Sequence, residues 1–212
     1  MNYHAVVERL AVLPTRLPAP PGSLMPTFVG EGRPPGDRAR VEGRRPVAAA
    51  VLVLVVPGDD GEARVVLTER AARGGHHSGE VSLPGGRAEP FDRDLVATAL
   101  REAIEEVGLD PDAAGVRVVG LLEPFWIPVS DFQVTPVIAV AERRPVLVPS
   151  EAEVARIVLA PIRAFLPGAP IEMVEAVVRG WPLRYGAYPV DGLLVWGATA
   201  RILGQLGAVL GD

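Results

Sequence analysis

Arg101 to Leu109 reads REAIEEVGL, three glutamates and an arginine within about one and a half turns of an expected helix. Glu102, Glu105 and Glu106 stand at i, i+3 and i+4, so they share a face and repel one another. Carboxylate oxygens suit hard divalent cations such as Mg²⁺ or Mn²⁺, and a bound cation would cancel that repulsion. Arg101 can pair with Glu105 one turn on and hold its rotamer. The bland alternative is a solvated acidic face, and for three glutamates alone that is the commoner case.

The elements around this row must hold it rigid. Leu95, Val96, Ala99, Ala103 and Val107 make the segment amphipathic, so a helix over Asp94–Val107 is expected, ended by Gly108. Gly85 and Gly86 just upstream let backbone approach a ligand or metal closely. Val47–Val56 and Ala63–Thr68 are strand-like runs joined by PGDDGE, a hairpin signal. VRVVGLLEPF, FQVTPVIAVAE, Val154–Leu159, LRYGAYPV and LLVWG read as further strands. Short helices are expected in Met1–Leu13 and from Pro161, with a terminal helix over Thr199–Leu210. Strands mostly in hairpin order with a few helices predict an α+β or α/β/α sandwich around a mixed sheet.

Residues 1–46 read as a helix followed by a Pro-, Gly- and Arg-rich arm, and residues 47–212 as one catalytic-size domain. Apolar residues make up 49% of the 212, enough for a sizeable core. The net charge is −5, and every cation is an arginine. An acidic chain with no basic run is a poor partner for nucleic acid. There is no cysteine, which excludes disulfides, thiol catalysis and zinc–thiolate sites. VAAAVLVLVV, Val47–Val56, is ten residues long where a membrane helix needs roughly twenty. With Glu8 and Arg9 standing where a signal peptide has its apolar stretch, a cytoplasmic protein with no membrane partner is expected. A homodimer is the default oligomer.

GGRAEPFDRDLVATALREAIEEVGL resembles the Nudix box, G-x5-E-x7-R-E-U-x-E-E-x-G-U with U aliphatic. Arg101, Glu102, Ala103, Glu105, Glu106, Gly108 and Leu109 match its second half. Asp92 stands where the pattern has Glu, and eight residues rather than seven separate it from Arg101. Both departures are like the coenzyme A diphosphatase branch. LTERAARGGHHSGEVSLPGG resembles that branch's upstream signature, through Leu67, Thr68, Arg70, Ala71, Gly79, Pro84, Gly85 and Gly86. Leu83 replaces the usual Phe, and Gly75 replaces a second Arg. VWGATARIL, Val195–Leu203, is also similar.

The resemblance implies a Nudix-type α/β/α sandwich around a mixed β-sheet and Mg²⁺- or Mn²⁺-dependent hydrolysis of a small-molecule pyrophosphate. For coenzyme A the products would be 3′-phosphoadenosine 5′-phosphate and 4′-phosphopantetheine. It implies Glu102 and Glu106 as metal ligands, Glu105 as third ligand or proton acceptor, the Gly86 carbonyl as a further donor, and Arg101 as an orienting residue. Glu151 and Glu153 are alternative bases; Ser150 and Glu153 also fit a capping pattern. Arg70, Arg73 and Arg87 are candidate phosphate-binding cations, and His77, beside His76, a candidate hydrogen-bond donor. Phe125 and Trp126 are candidate stacking residues, with Asp131 near the same mouth. Gly75 keeps ADP-ribose, NADH and nucleoside triphosphates open as substrates. A catalytically silent binding module is the reading from another class.

Overall fold

The computed structural model describes residues 1–30, 46–71, 80–128, 130–178 and 180–211. In chain order the elements are α1 (Tyr3–Leu10), β1 (Thr27–Phe28), β2 (Val47–Pro57), β3 (Ala63–Arg70), β4 (Val81–Ser82) and β5 (Gly85–Arg87). Then come α2 (Leu95–Val107), α3 (Pro111–Ala114), β6 (Val116–Leu121), β7 (Phe125–Ile127), β8 (Phe132–Ala141) and β9 (Val154–Pro161). The chain ends with β10 (Glu172–Val178), β11 (Trp181–Val190), β12 (Leu193–Val195) and α4 (Gly197–Gly211).

The larger sheet runs β4-β3-β2-β8-β6, with β5 on β2, β7 on β8 and β9 on β3. Its β2–β8 pairing is parallel and its other pairings are antiparallel, so the sheet is mixed. Side chains along a strand alternate between faces. On β2, Ala50, Leu52, Leu54 and Val56 pack with Ala99, Ala103 and Val107 of α2. Ala49, Val53 and Val55 point the other way, into a larger cluster with Val6 and Leu10 of α1 and Leu203, Leu206 and Leu210 of α4. Helices thus cover both faces, which makes an α/β/α sandwich. Among the described residues no helix is long and apolar enough to cross a membrane.

α2 starts where its sequence puts a cap. The Asp94 side chain accepts from Ala97 N at 2.7 Å, and Gly108 ends the helix at φ +62°. The loop before β9 closes the other end: Val148 N donates to Val107 O at 2.9 Å and Ser150 N to Glu106 O at 2.8 Å. These bonds satisfy carbonyls that a helix leaves unpaired and tie residues 148–150 to the acidic end of α2.

Three differences from the sequence reading stand out. A second sheet, β1-β11-β10 with β12 on β11, includes a strand at Glu172–Val178 that was not expected. The segment after Pro161 is a single 3₁₀ turn, Ile162–Phe165. α4 begins at Gly197, two residues before Thr199.

Candidate active site

β5 brings the paired glycines against α2. A Cβ at Gly86 would sit 2.5 Å from Glu102 Oε1, so a side chain there would displace the Glu102 carboxylate. A Cβ at Gly85, whose φ is +157°, would sit 2.6 Å from the Val51 Cα. Gly85 N donates to Glu106 Oε2 at 3.2 Å. The strand-to-helix connection therefore closes on two carboxylates one turn apart.

The three glutamates do not remain equivalent. Glu106 is 7% exposed, the Glu102 side chain 15% and the Glu105 side chain 58%. The three differ in exposure while staying neighbours: Glu106 turns under β5, Glu105 faces solvent, and Arg101 reaches both Glu102 and Glu105. Burial pushes the Glu106 carboxyl up to about 7, and the charges of Glu102 and Glu153 push the same way, against the Gly85 N–H and Arg70. Burial also raises Glu102, while Arg101 pulls it back.

Arg101 is the hub of the other half of the site. Its Nε donates to Asp92 Oδ1 at 3.0 Å and its Nη2 to Asp92 Oδ2 at 3.1 Å, a two-point grip. Nη1 donates to Glu102 Oε1 at 2.8 Å and to Glu105 Oε2 at 3.0 Å, and Nη2 also reaches the Arg87 carbonyl at 3.0 Å. Asp92 Oδ2 accepts in addition from Glu89 N and Thr98 Oγ1, each at 2.9 Å. These bonds, Arg101 first, hold the Asp92 carboxyl well below the usual carboxylate range. The shorter acid and the one-residue longer spacing still deliver a carboxylate to the guanidinium. Thr98 carried no sequence signal, and the weight of Asp92 was visible only through the motif.

The remaining candidates are placed as follows. Arg70 is exposed at the end of β3, close enough for its charge to act on Glu106. The Arg87 side chain is 62% exposed, 4.0 Å from Glu89. Glu153 is exposed, and its backbone carbonyl accepts from Ala71 N at 2.9 Å. Its turn is closed by Glu153 N and Val154 N donating to the Ser150 carbonyl, and its charge acts on both Glu102 and Glu106. Arg73, Gly75, His76 and His77 lie outside the described residues. Phe125 is not an open stacking platform: it is 9% exposed and covered by Arg201. Trp126 Nε1 donates to Asp131 Oδ1 at 3.0 Å.

Among the described residues no three acidic or histidine side chains gather around one point as they stand. The donor chemistry nonetheless fits a hard divalent cation. A buried carboxylate, Glu106, and a half-buried one, Glu102, both raised by desolvation, face a backbone cradle that a Cβ would fill. Glu102, Glu106 and the Gly86 carbonyl are the groups that would hold it.

A family model described as NUDIX domain matches residues 46–170. The chain is 37% identical over 180 residues to an uncharacterized Nudix hydrolase NudL of Cronobacter sakazakii, covering 85% of this chain and 90% of that one. It is 42% identical over 165 residues to the chloroplastic Nudix hydrolase 22 of Arabidopsis thaliana and 41% identical to the mitochondrial Nudix hydrolase 15 of the same plant. Each alignment covers 75% of this chain, which spans 54% and 57% of those two relatives. A solved Nudix hydrolase from M. smegmatis, RenU, aligns at 26% identity and TM-score 0.47 over 57% of this chain and 73% of its own.

Proposed function

The chain belongs to the Nudix hydrolase family, and on that premise we propose that it is a pyrophosphohydrolase whose substrate is coenzyme A or a coenzyme A derivative. The observation that carries the chemistry is the closure of Gly85 and Gly86 on Glu102 and Glu106. The observation that favours coenzyme A is the segment from Leu67 to Gly86, with Arg70 at its start and the double glycine at its end.

Bound at this cradle, a divalent cation would neutralise diphosphate charge and ease deprotonation of the attacking water. The chain's own groups do the rest. The backbone at Gly85–Gly86 lets the diphosphate approach without a side chain in the way. Arg101, locked by Asp92, fixes the rotamer of Glu102. Arg70 supplies positive charge beside the diphosphate. Water attacks one phosphorus, its proton passes to Glu153 or Glu105, and the other phosphate leaves. Positioning and charge supply most of the rate.

Steady-state kinetics on coenzyme A, ADP-ribose, NADH and a nucleoside triphosphate, each with Mg²⁺ and with Mn²⁺, tests this reading. A preference for coenzyme A of at least ten-fold in kcat/KM is expected; a smaller one overturns it. Gly75, where the related signature has a second Arg, favours the other diphosphates as the second reading.

A further inference from the structure

The arm before Val47 and the VWGATARIL segment take no part in the catalytic account. They enclose a cavity of about 430 Å³, lined by Arg16 and Pro18 of the arm, Arg201 and Gln205 of α4, and Glu123 after β6. That volume is in the range of small-ligand pockets. The cavity lies on the face of the large sheet away from α2. Phe125, which Arg201 covers, belongs with Ala49, Val134 and Leu203 to the cluster under α1 and α4. Gly86, Glu102 and Glu106 stand on the α2 side. The buried Ala49 and Val134 lie between, so a ligand in this cavity is separate from anything held at the catalytic cradle.

Packing fixes the walls. Gln205 is 7% exposed, and its Nε2 donates to the Pro18 carbonyl at 3.2 Å. Gly204 admits the arm, since a Cβ there would lie 2.7 Å from Leu24 Cδ1 and 3.0 Å from Pro21 Cδ. The charges are unusual for this chain. Arg64, Arg101, Arg156 and Arg163 each hold a carboxylate. Among the described residues neither Arg16 nor Arg201 has a hydrogen bond or an ion pair. The half-buried Arg201 has its guanidinium 4.4 Å from the Phe125 ring centroid, which covers one of its faces and leaves its N–H edge unused. Glu123 lines the same space, and no ion pair joins it to either arginine.

Two guanidiniums without partners match a tetrahedral oxyanion. A carboxylate on the same wall repels such an anion unless the anion carries a proton to donate. Near pH 8 hydrogen phosphate keeps one O–H. Sulfate has none, and a phosphomonoester has given up its second proton near pH 6. We propose that this cavity is an inorganic phosphate site, in which Arg16 and Arg201 bind the phosphate oxygens and Glu123 accepts from the remaining P–OH. Occupancy would fasten residues 16–20 to α4. This site is independent of the substrate's identity.

Calorimetric titration of the full chain in EDTA near pH 8, with sodium phosphate, sodium sulfate and methyl phosphate, tests it. The wild type is expected to bind one phosphate, about ten-fold or more tighter than sulfate or methyl phosphate, because only phosphate gains a hydrogen bond to a charged acceptor. R201Q and R16Q should each weaken phosphate at least five-fold, and R70Q, which alters the cation nearest the cradle, should leave it unchanged. E123Q should tighten sulfate and bring the two anions within about two-fold of each other, a direction that structural damage would not give. Phosphate should also slow tryptic cleavage after Arg16 at least five-fold, and R201Q should cancel that protection. Arg16 is exposed on the arm, so R16Q and E123Q decide the matter if R201Q folds poorly. Absence of saturable phosphate binding, equal affinity for sulfate in the wild type, or loss of binding in R70Q with retention in R16Q overturns the site.

Discussion

Asp92 and Glu106 are both buried carboxylates that bear on the same helix, and their surroundings drive them in opposite directions. Asp92 is gripped by Arg101, by a backbone N–H and by Thr98, and stays ionised far into acid. Glu106 has one backbone N–H and a neighbouring glutamate, and burial pushes its carboxyl up to about 7. On the function proposed above, the difference separates scaffold from reaction centre. A satisfied charge fixes geometry, whereas an unsatisfied one is stored demand for a cation.

The sharpest way to break this contrast is to remove the stored charge. Glu106→Gln keeps the volume and leaves an amide oxygen for the Gly85 N–H. Turnover at saturating Mg²⁺ should fall roughly 10²-fold or more, since a metal ligand supports several kcal/mol of transition-state stabilisation. Circular dichroism should be unchanged. Activity within a few-fold of wild type would remove Glu106 from the centre.

Stability against pH tests the same contrast without turnover. A carboxyl raised in the fold contributes stability below its unfolded value near 4.5 and loses it as pH climbs through about 7. The step from 4.5 to about 7 is worth about 3 kcal/mol at roughly 1.4 kcal/mol per pH unit. Metal-free wild type should therefore lose stability from pH 5 to pH 8, and Glu106→Gln should flatten that slope. Asp92 runs the other way: its depressed carboxyl stabilises above the usual carboxylate range and loses that contribution as pH falls below about 4. Asp92→Asn should lower Tm by several degrees at neutral pH and flatten the acid limb. Denaturant melts in EDTA across pH 3–8 check both limbs; parallel curves for the two variants would dissolve the distinction.

Local signals made much of the site legible. Asp94 and Gly108 mark the ends of α2, the apolar spacing marks its buried face, and REAIEEVGL marks its chemistry. Whatever depends on long-range pairing stayed hidden. The i, i+3, i+4 rule puts three glutamates on one face, but the approach of Gly85 buries Glu106 and leaves Glu105 outside. β10 carries Met173 and Val177 on its exposed side, so its alternation did not read as a half-buried strand. The cavity joins Arg16 to Arg201, and nothing local in either segment announces the other.

A smaller effect separates the charge of Arg101 from its fork. Arg101→Lys keeps the cation but cannot hold Asp92 at two points while also reaching Glu102. A loss of about ten-fold in kcat is expected, with KM little changed, because Glu102 loses its orientation while substrate contacts stay. A rise in KM at constant kcat would make Arg101 a substrate-binding residue instead.

The smallest change in stability belongs to Glu105. Its side chain is 58% exposed, and its bond is an i, i+4 pair with Arg101 at 3.0 Å. Such pairs contribute about 0.3–0.5 kcal/mol, so Glu105→Gln should shift denaturant stability by no more than that. Any loss of kcat in this variant then reads chemistry alone. Arg101 already occupies one oxygen of Glu105, whereas Glu153 sits on a turn bonded to α2 and acts on both Glu102 and Glu106. Glu153→Gln is therefore expected to cost more turnover than Glu105→Gln. The reverse order would move proton acceptance onto the helix and leave the loop before β9 a purely structural clamp.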